Sequence, residues 1–280
     1  MSAPGRYAHL FRDLPRDPGA LVQLVQRLIV YDVVAPEFYH VSIPARRQGE
    51  IHIRPVEGIV HALLSLEDRP LTVARPVNRR LAGRCHHFVL LLVAMLRAQG
   101  MPARARSGFG SYFNPPYFED HWVCEYWNDA ESRWMFADPQ FDQIWRTNLK
   151  VDHDILDVPR ARFLVASEAW TRCRTDQEDP GRFGIDFVKL RGLWFVAGSL
   201  VRDLAALNKV EMLPWDMWGG QPGVNEVLNA QQLAFFDDLA AMTRDPDASF
   251  EAVKARYEQD DRLRVPASVF NSLLQRMETR

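Results

Sequence analysis

The chain has 280 residues, enough for one large domain or two modest ones. Apolar residues make up 47% of it and the formal charge is only −2. A sizeable core is therefore available, and there is no bulk electrostatic case for nucleic acid or an anionic membrane as the main partner. The opening stretch MSAPGRYAHLFRDLPRD has no charged segment leading into an apolar one, so it does not read as a signal peptide. The longest apolar run, Phe88 to Leu96, has nine residues, about half of what a bilayer span needs. A cytoplasmic protein is the expectation. Cys85, Cys124 and Cys173 are odd in number and widely spaced. That argues against a disulfide framework, and the absence of Cys-x-x-Cys argues against zinc. No metal or cofactor is expected.

In chain order, residues 18–34 carry apolar positions near helical spacing, with Pro36 as the terminator. IHIRP, at 51–55, suggests a brief strand, and 57–67 a second helix. Residues 68–84 are rich in Pro and Arg and read as a loop. GRCHHFVLLLVAML, at 83–96, is apolar on all sides and predicts a central buried helix. Gly100 and Pro102 close it. The pattern then changes: ARARSGFGSYF, HWVCEYW and RWMFADP alternate with period two. The last two are joined by NDAES, a hairpin-length connection. Beyond residue 150 the spacing predicts helices over 185–209, 224–243, 247–259 and 266–277. The domain expectation is a core over 1–150 and a mainly helical region over 151–280, which could also be integral to the same domain.

Three residues in this order suggest chemistry. Alternation along HWVCEYW puts His121, Val123 and Glu125 on one face and Trp122, Cys124 and Tyr126 on the other. In a hairpin with RWMFADP, His121 and Asp138 both lie at the open end. A carboxylate beside an imidazole holds its tautomer and stabilises the imidazolium. Cys85 stands at a helix start, where unpaired N–H groups and the helix dipole favour thiolate over thiol. Arg84 adds positive charge. Cys85 would be the nucleophile, His121 the base and Asp138 the orienting acid. A cysteine at the edge of an apolar run, or a histidine in a strand, is more commonly packing; the ordered set of three favours catalysis.

Around these, Arg79, Arg80 and Arg84 suit a carboxylate or phosphate clamp or a solvated loop. Tyr112 and Phe113, in the loop leading to His121, are substrate-wall or packing residues. Glu119 and Asp120 read as solvated loop carboxylates, and Cys173 as exposed. His86 and His87 read as capping or solvent-facing.

GRC before an apolar helix, then GMPARARSGF, HWVCEYW and RWMFADP, resembles the transglutaminase-like superfamily. The match runs over roughly residues 75–145, with Gly100, Pro102, Arg104, Gly108, Glu125, Trp134 and Pro139 on the motif positions beside Cys85, His121 and Asp138. The resemblance implies an α+β, papain-like core with a central helix packed on an antiparallel sheet, plus a helical C-terminal extension. It also implies acyl transfer at an amide or thioester carbonyl through a Cys85 thioester, without a metal. The substrate would be a small molecule, a peptide or an acyl thioester. The family has Trp two residues after the histidine; here Trp122 follows His121 directly and is the substrate-site candidate with Arg84, Tyr112 and Phe113. No Trp precedes 122, so Asn78 stands as a substitute oxyanion donor. The alternative is a non-catalytic scaffold of this fold that binds a peptide or protein.

Overall fold

The computed structural model describes residues 1–280, which divide into two compact units. The first unit comprises residues 1–105 and 123–159, the second residues 106–122 and 160–280. The fold is α+β.

The first unit opens with a 3-10 helix, Gly5–Phe11, and then α1, Pro18–Leu28. Asp17 caps α1 by accepting the Ala20 N–H at 2.7 Å, and Pro18 occupies a first-turn position where no N–H is needed. Leu21, Val22, Leu24, Val25 and Leu28 form its buried stripe. The helix expected over 18–34 stops at Leu28. The β-branched Ile29 and Val30 instead enter β1, Ile29–Tyr31, which pairs in parallel with β2. Pro36 does not terminate a helix; it sits in the first turn of the short α2, Ala35–Tyr39. The strand expected at 51–55 is replaced by a 3-10 helix, Ala45–His52, followed by extended residues. α3 spans Val56–Leu66, close to expectation. The supposed loop after it contains a 3-10 turn, Val77–Arg79, and β2, Leu81–Gly83.

Next comes α4, Cys85–Ala98, in which every residue from Cys85 to Leu96 is buried. It packs on α1 and α3 and against β1 and β2. Such all-round burial is what an apolar run without a polar face requires. Two strands then run through both units: β3, Ala103–Gly110, and β4, Phe118–Asn128. In the first unit β4 pairs antiparallel with β5, Arg133–Ala137, in the register Cys124↔Ala137 to Asn128↔Arg133. α5, Gln143–Asn148, is capped by Asp142, which accepts the N–H groups of Ile144 and Trp145.

In the second unit the main sheet follows the order β6–β3–β4–β7–β8, with β6 at Phe163–Val165, β7 at Phe183–Ile185 and β8 at Leu190–Arg191. The β4–β7 pair is parallel, so this sheet is mixed. α6, Ala166–Arg174, follows β6. The helix expected from 185 begins only at Leu193: α7, Leu193–Leu207, is preceded by Gly192 at φ +124°, a conformation that breaks helical continuation. β9, Asp216–Met217, α8, Ala230–Arg244, and α9, Phe250–Gln259, complete the run before the C-terminal strands. α6, α7 and α8 pack on one another.

The last predicted helix, 266–277, is instead a hairpin of β10, Ser268–Asn271, and β11, Arg276–Thr279. β10 also pairs with β9. Asn271 Oδ1 accepts the N–H groups of Leu273 and Leu274, and Gln275 takes φ +52°, which together make a tight turn. The helical-looking spacing of Leu273 and Met277 is carried by two exposed side chains.

Candidate active site

Cys85 is the first helical residue of α4, with the extended Arg84 as its N-cap and strand β2 ending at Gly83. A strand thus runs almost directly into the helix start, and the thiol is 6% exposed. The start is pinned by His87, whose Nδ1 accepts the Arg84 N–H at 3.1 Å. Burial, and then the neighbouring His86, push the His87 imidazole down to about 3, so the ring stays neutral and can accept that bond. His86 and His87 are both fully buried, and neither faces solvent.

Around Cys85 the sequence missed two partners. β1 aligns Tyr31 with Gly83, and the Asp32 N–H donates to the Gly83 carbonyl at 3.3 Å. Arg84 donates through both Nε and Nη2 to the Asp32 carboxylate, the second bond at 3.1 Å, and its guanidinium lies 5.5 Å from the Tyr31 ring centroid. Burial, then the charge of Cys85, drive the Tyr31 phenol well above its ordinary value. Burial acts against the Arg84 charge, but Tyr31 and Asp32 outweigh it and hold the guanidinium charged. Nothing in the spacing of residues 31 and 32 announces this; the parallel β1–β2 register creates it.

His121 lies on β4 in the second unit and is 1% exposed. Its walls are aromatic. Phe113 meets it edge-on at 4.8 Å between centroids, Tyr112 at 6.0 Å and Phe163 at 6.2 Å. Tyr112 and Phe113 stack on each other at 4.9 Å. The two loop aromatics singled out from the sequence are thus brought to the imidazole. Trp122, fully buried, follows His121 on the opposite face of β4.

The carboxylates before His121 are not solvated loop residues. Glu119 and Asp120 belong to β4, and the Glu119 carboxylate accepts the Asp186 N–H at 3.0 Å. Burial and the adjacent Asp120 raise Glu119 to about 7. Asp120 faces Arg202 of α7 at 3.7 Å, both side chains being 5% exposed. Burial raises Asp120 even though Arg202 and His121 pull it down.

Asp138 is the first residue beyond the β4–β5 ladder, at the end away from the hairpin turn, and is 1% exposed. Its N–H donates to the Ile155 carbonyl at 2.7 Å, and its Oδ1 accepts the Gln140 N–H at 3.2 Å. Asn78 sits in the Val77–Arg79 turn, where its carbonyl accepts from Arg47 Nη1 at 2.8 Å. Cys124 and Cys173 are both buried, contrary to the expectation for Cys173. Burial raises both thiols, Cys173 to about 12.

Four further motif residues, Pro102, Arg104, Glu125 and Trp134, take part in a brace in the first unit. Arg104 Nε donates to Glu125 Oε2 at 2.7 Å, and the Arg104 guanidinium lies 4.0 Å from the Trp134 ring centroid. The Trp127 N–H donates to the Pro102 carbonyl at 2.9 Å. Their role is to lock β3, β4 and β5 together, and none of them is needed as a reacting group.

The chain is thus an α+β protein in which a cysteine opens a buried helix, a histidine lies on a later strand and an aspartate directly follows the next one. Residues 64–139 match the model of the transglutaminase-like superfamily. The superfamily generally comprises cysteine-based acyl-transfer enzymes and proteases. Cys85, His121 and Asp138 all fall within the matched residues. Neither a curated protein nor a solved structure matches the chain. No helix is long and apolar enough to cross a membrane.

Proposed function

We propose that the protein is an acyl-transfer enzyme that works through a thioester on Cys85. The observation that carries this reading is the place of Cys85 as first residue of the buried, 14-residue helix α4. At that position the helix dipole and unpaired N–H groups stabilise a thiolate, and later an oxyanion. The Cys85 sulfur attacks an amide or thioester carbonyl. His121 delivers a proton to the departing amine or thiol as the C–N or C–S bond breaks. Water or an amine, giving up a proton to His121, then attacks the thioester and frees the thiol. Asp138 orients the imidazole. Water as acceptor makes the enzyme a peptidase or amidase; an amine makes it a transamidase or amide-forming enzyme.

Tyr112 and Phe113 are read as the substrate wall, because they stand on His121 and exclude water from it. Arg84, already engaged by Asp32, is read as holding the loop before Cys85, and Trp122 as packing. The reading places the protein in the cytoplasm with a small-molecule, peptide or thioester substrate.

The test is intact-mass analysis after incubation with cell extract. The expected result is an acyl adduct on the wild type that is absent from Cys85→Ala, its mass identifying the donor. The same adduct on both proteins, or none on a wild type whose Cys85 alkylates no faster than its other thiols, would favour a non-catalytic scaffold.

A further inference from the structure

The first unit contains a cavity of about 580 Å³ whose lining includes Asn78 and Arg79 but none of Cys85, His121 and Asp138. Its polar lining is Ser42, Arg46, Arg47, Ser65, Asn78 and Arg79, with Pro44 and Leu66 as apolar wall. Three guanidinium groups and no carboxylate line it, which sets the sign of any charged ligand.

The three arginines are not equivalent. Arg47 is buried and committed: Nε and Nη2 donate to Glu50 at 2.5 and 2.8 Å, and Nη1 donates to the Asn78 carbonyl. Glu50 is committed in turn, since its Oε2 also accepts the Ala82 N–H at 2.7 Å. The Arg47–Glu50 pair is therefore internally neutral and forms the floor. Arg79 makes one long bond, 3.5 Å, to the Leu66 carbonyl, and Arg46 has no hydrogen bond or ion pair. Both are exposed, so two positive charges remain to be satisfied at the cavity mouth. Arg80, next in sequence, is spent on the Arg75 and Gln26 carbonyls.

We propose that this cavity binds a small organic phosphate. A phosphate monoester carries about −1.5 to −2 charge at neutral pH, which matches two free guanidinium groups. The Ser42 hydroxyl and the Asn78 amide supply neutral donors to its remaining oxygens, while the Ser65 hydroxyl already donates to the His61 carbonyl at 2.9 Å. The volume far exceeds one phosphate and lies in the range of small-ligand sites, so Pro44 and Leu66 face the carbon part.

The test is isothermal titration of the full chain with glycerol 3-phosphate, glycerol and citrate, at fixed ionic strength. Saturable binding of glycerol 3-phosphate is expected, with none of glycerol. Arg46→Ala and Arg79→Ala should each weaken it by about tenfold or more, while Arg16→Ala, an exposed arginine outside the cavity, leaves it unchanged. Retention of binding in Cys85→Ala keeps this result separate from the fate of the thioester mechanism. No saturable binding, equal loss in Arg16→Ala, or citrate binding as tightly as glycerol 3-phosphate would overturn the proposal.

Discussion

Asp203 of α7 receives both arms of the Arg106 guanidinium, at 3.0 Å from Nε and 2.9 Å from Nη2, with the two side chains 0% and 1% exposed. The same carboxylate accepts the Ser107 N–H at 2.9 Å, and Arg106 Nη2 reaches the Thr243 carbonyl at 3.2 Å. One ion pair thus ties β3 to α7 and α8. Removing Asp203 leaves the buried Arg106 charge without this counter-ion and the Ser107 N–H without this acceptor. Asp203→Ala is expected to cost about 3–5 kcal/mol in urea unfolding. Asp203→Asn, which keeps one acceptor for Ser107, should lose roughly half as much. A loss below about 1 kcal/mol for Asp203→Ala would show that the pair is not holding these elements.

Thiol reactivity separates the three cysteines. Cys124 and Cys173 are buried and their thiolates disfavoured, Cys173 titrating only near about 12. At neutral pH iodoacetamide should therefore label Cys85 first, as followed by peptide mass. Cys173 labelling as fast as Cys85 would count against the nucleophile assignment.

His121 and Asp138 are tested on the same reaction without knowledge of the substrate. His121→Ala should slow Cys85 alkylation by about tenfold or more while leaving the far-UV spectrum intact. Once a substrate is in hand, Cys85→Ala and His121→Ala should abolish turnover, and Asp138→Asn should lower it by about 10²–10⁴-fold. Wild-type turnover in Cys85→Ala or His121→Ala would sink the mechanism.

Glu119 gives the stability a pH dependence of defined sign. Its carboxyl is raised from 4.5 to about 7 by burial and by Asp120. The folded state therefore binds the proton more tightly than the unfolded chain. This stabilisation is complete below about 4.5 and is lost as pH rises through about 7. Urea midpoints of the wild type should fall across that window more steeply than those of Glu119→Gln. Parallel curves for the two proteins would refute the shift.

Gly108 is fixed by contact. A Cβ there would lie 2.2 Å from the Leu164 carbonyl oxygen and 2.9 Å from the Val165 Cα, on the strand it pairs with. Backbone cannot give way as a side chain tip can. Gly108→Ala should cost about 1–3 kcal/mol in denaturant unfolding. An unchanged midpoint would mean that β3 and β6 do not pair in this register.

What the sequence determined by itself was local and ordered. The apolar run after Cys85, the alternation of HWVCEYW and RWMFADP, and the glycine and proline that close α4 are consequences of periodicity and backbone restriction, so they needed no partner to be read. The order of Cys85, His121 and Asp138 along helix, strand and strand was legible for the same reason. Misreadings arose where a long-range partner outweighed local spacing. Ile29 and Val30 left the helical pattern because Leu81 and Ala82 offered a parallel strand. Residues 268–279 became a hairpin because β9 offered an edge and Asn271 a turn. Glu119 and Asp120 looked solvated because charge alone suggests water, yet neighbours on other elements bury them. The Tyr31–Arg84–Asp32 cluster beside Cys85, the Arg106–Asp203 tie and the arginine-lined cavity all join residues distant in sequence. Such contacts exist only once the chain has folded, because they depend on register and packing, which no single segment encodes.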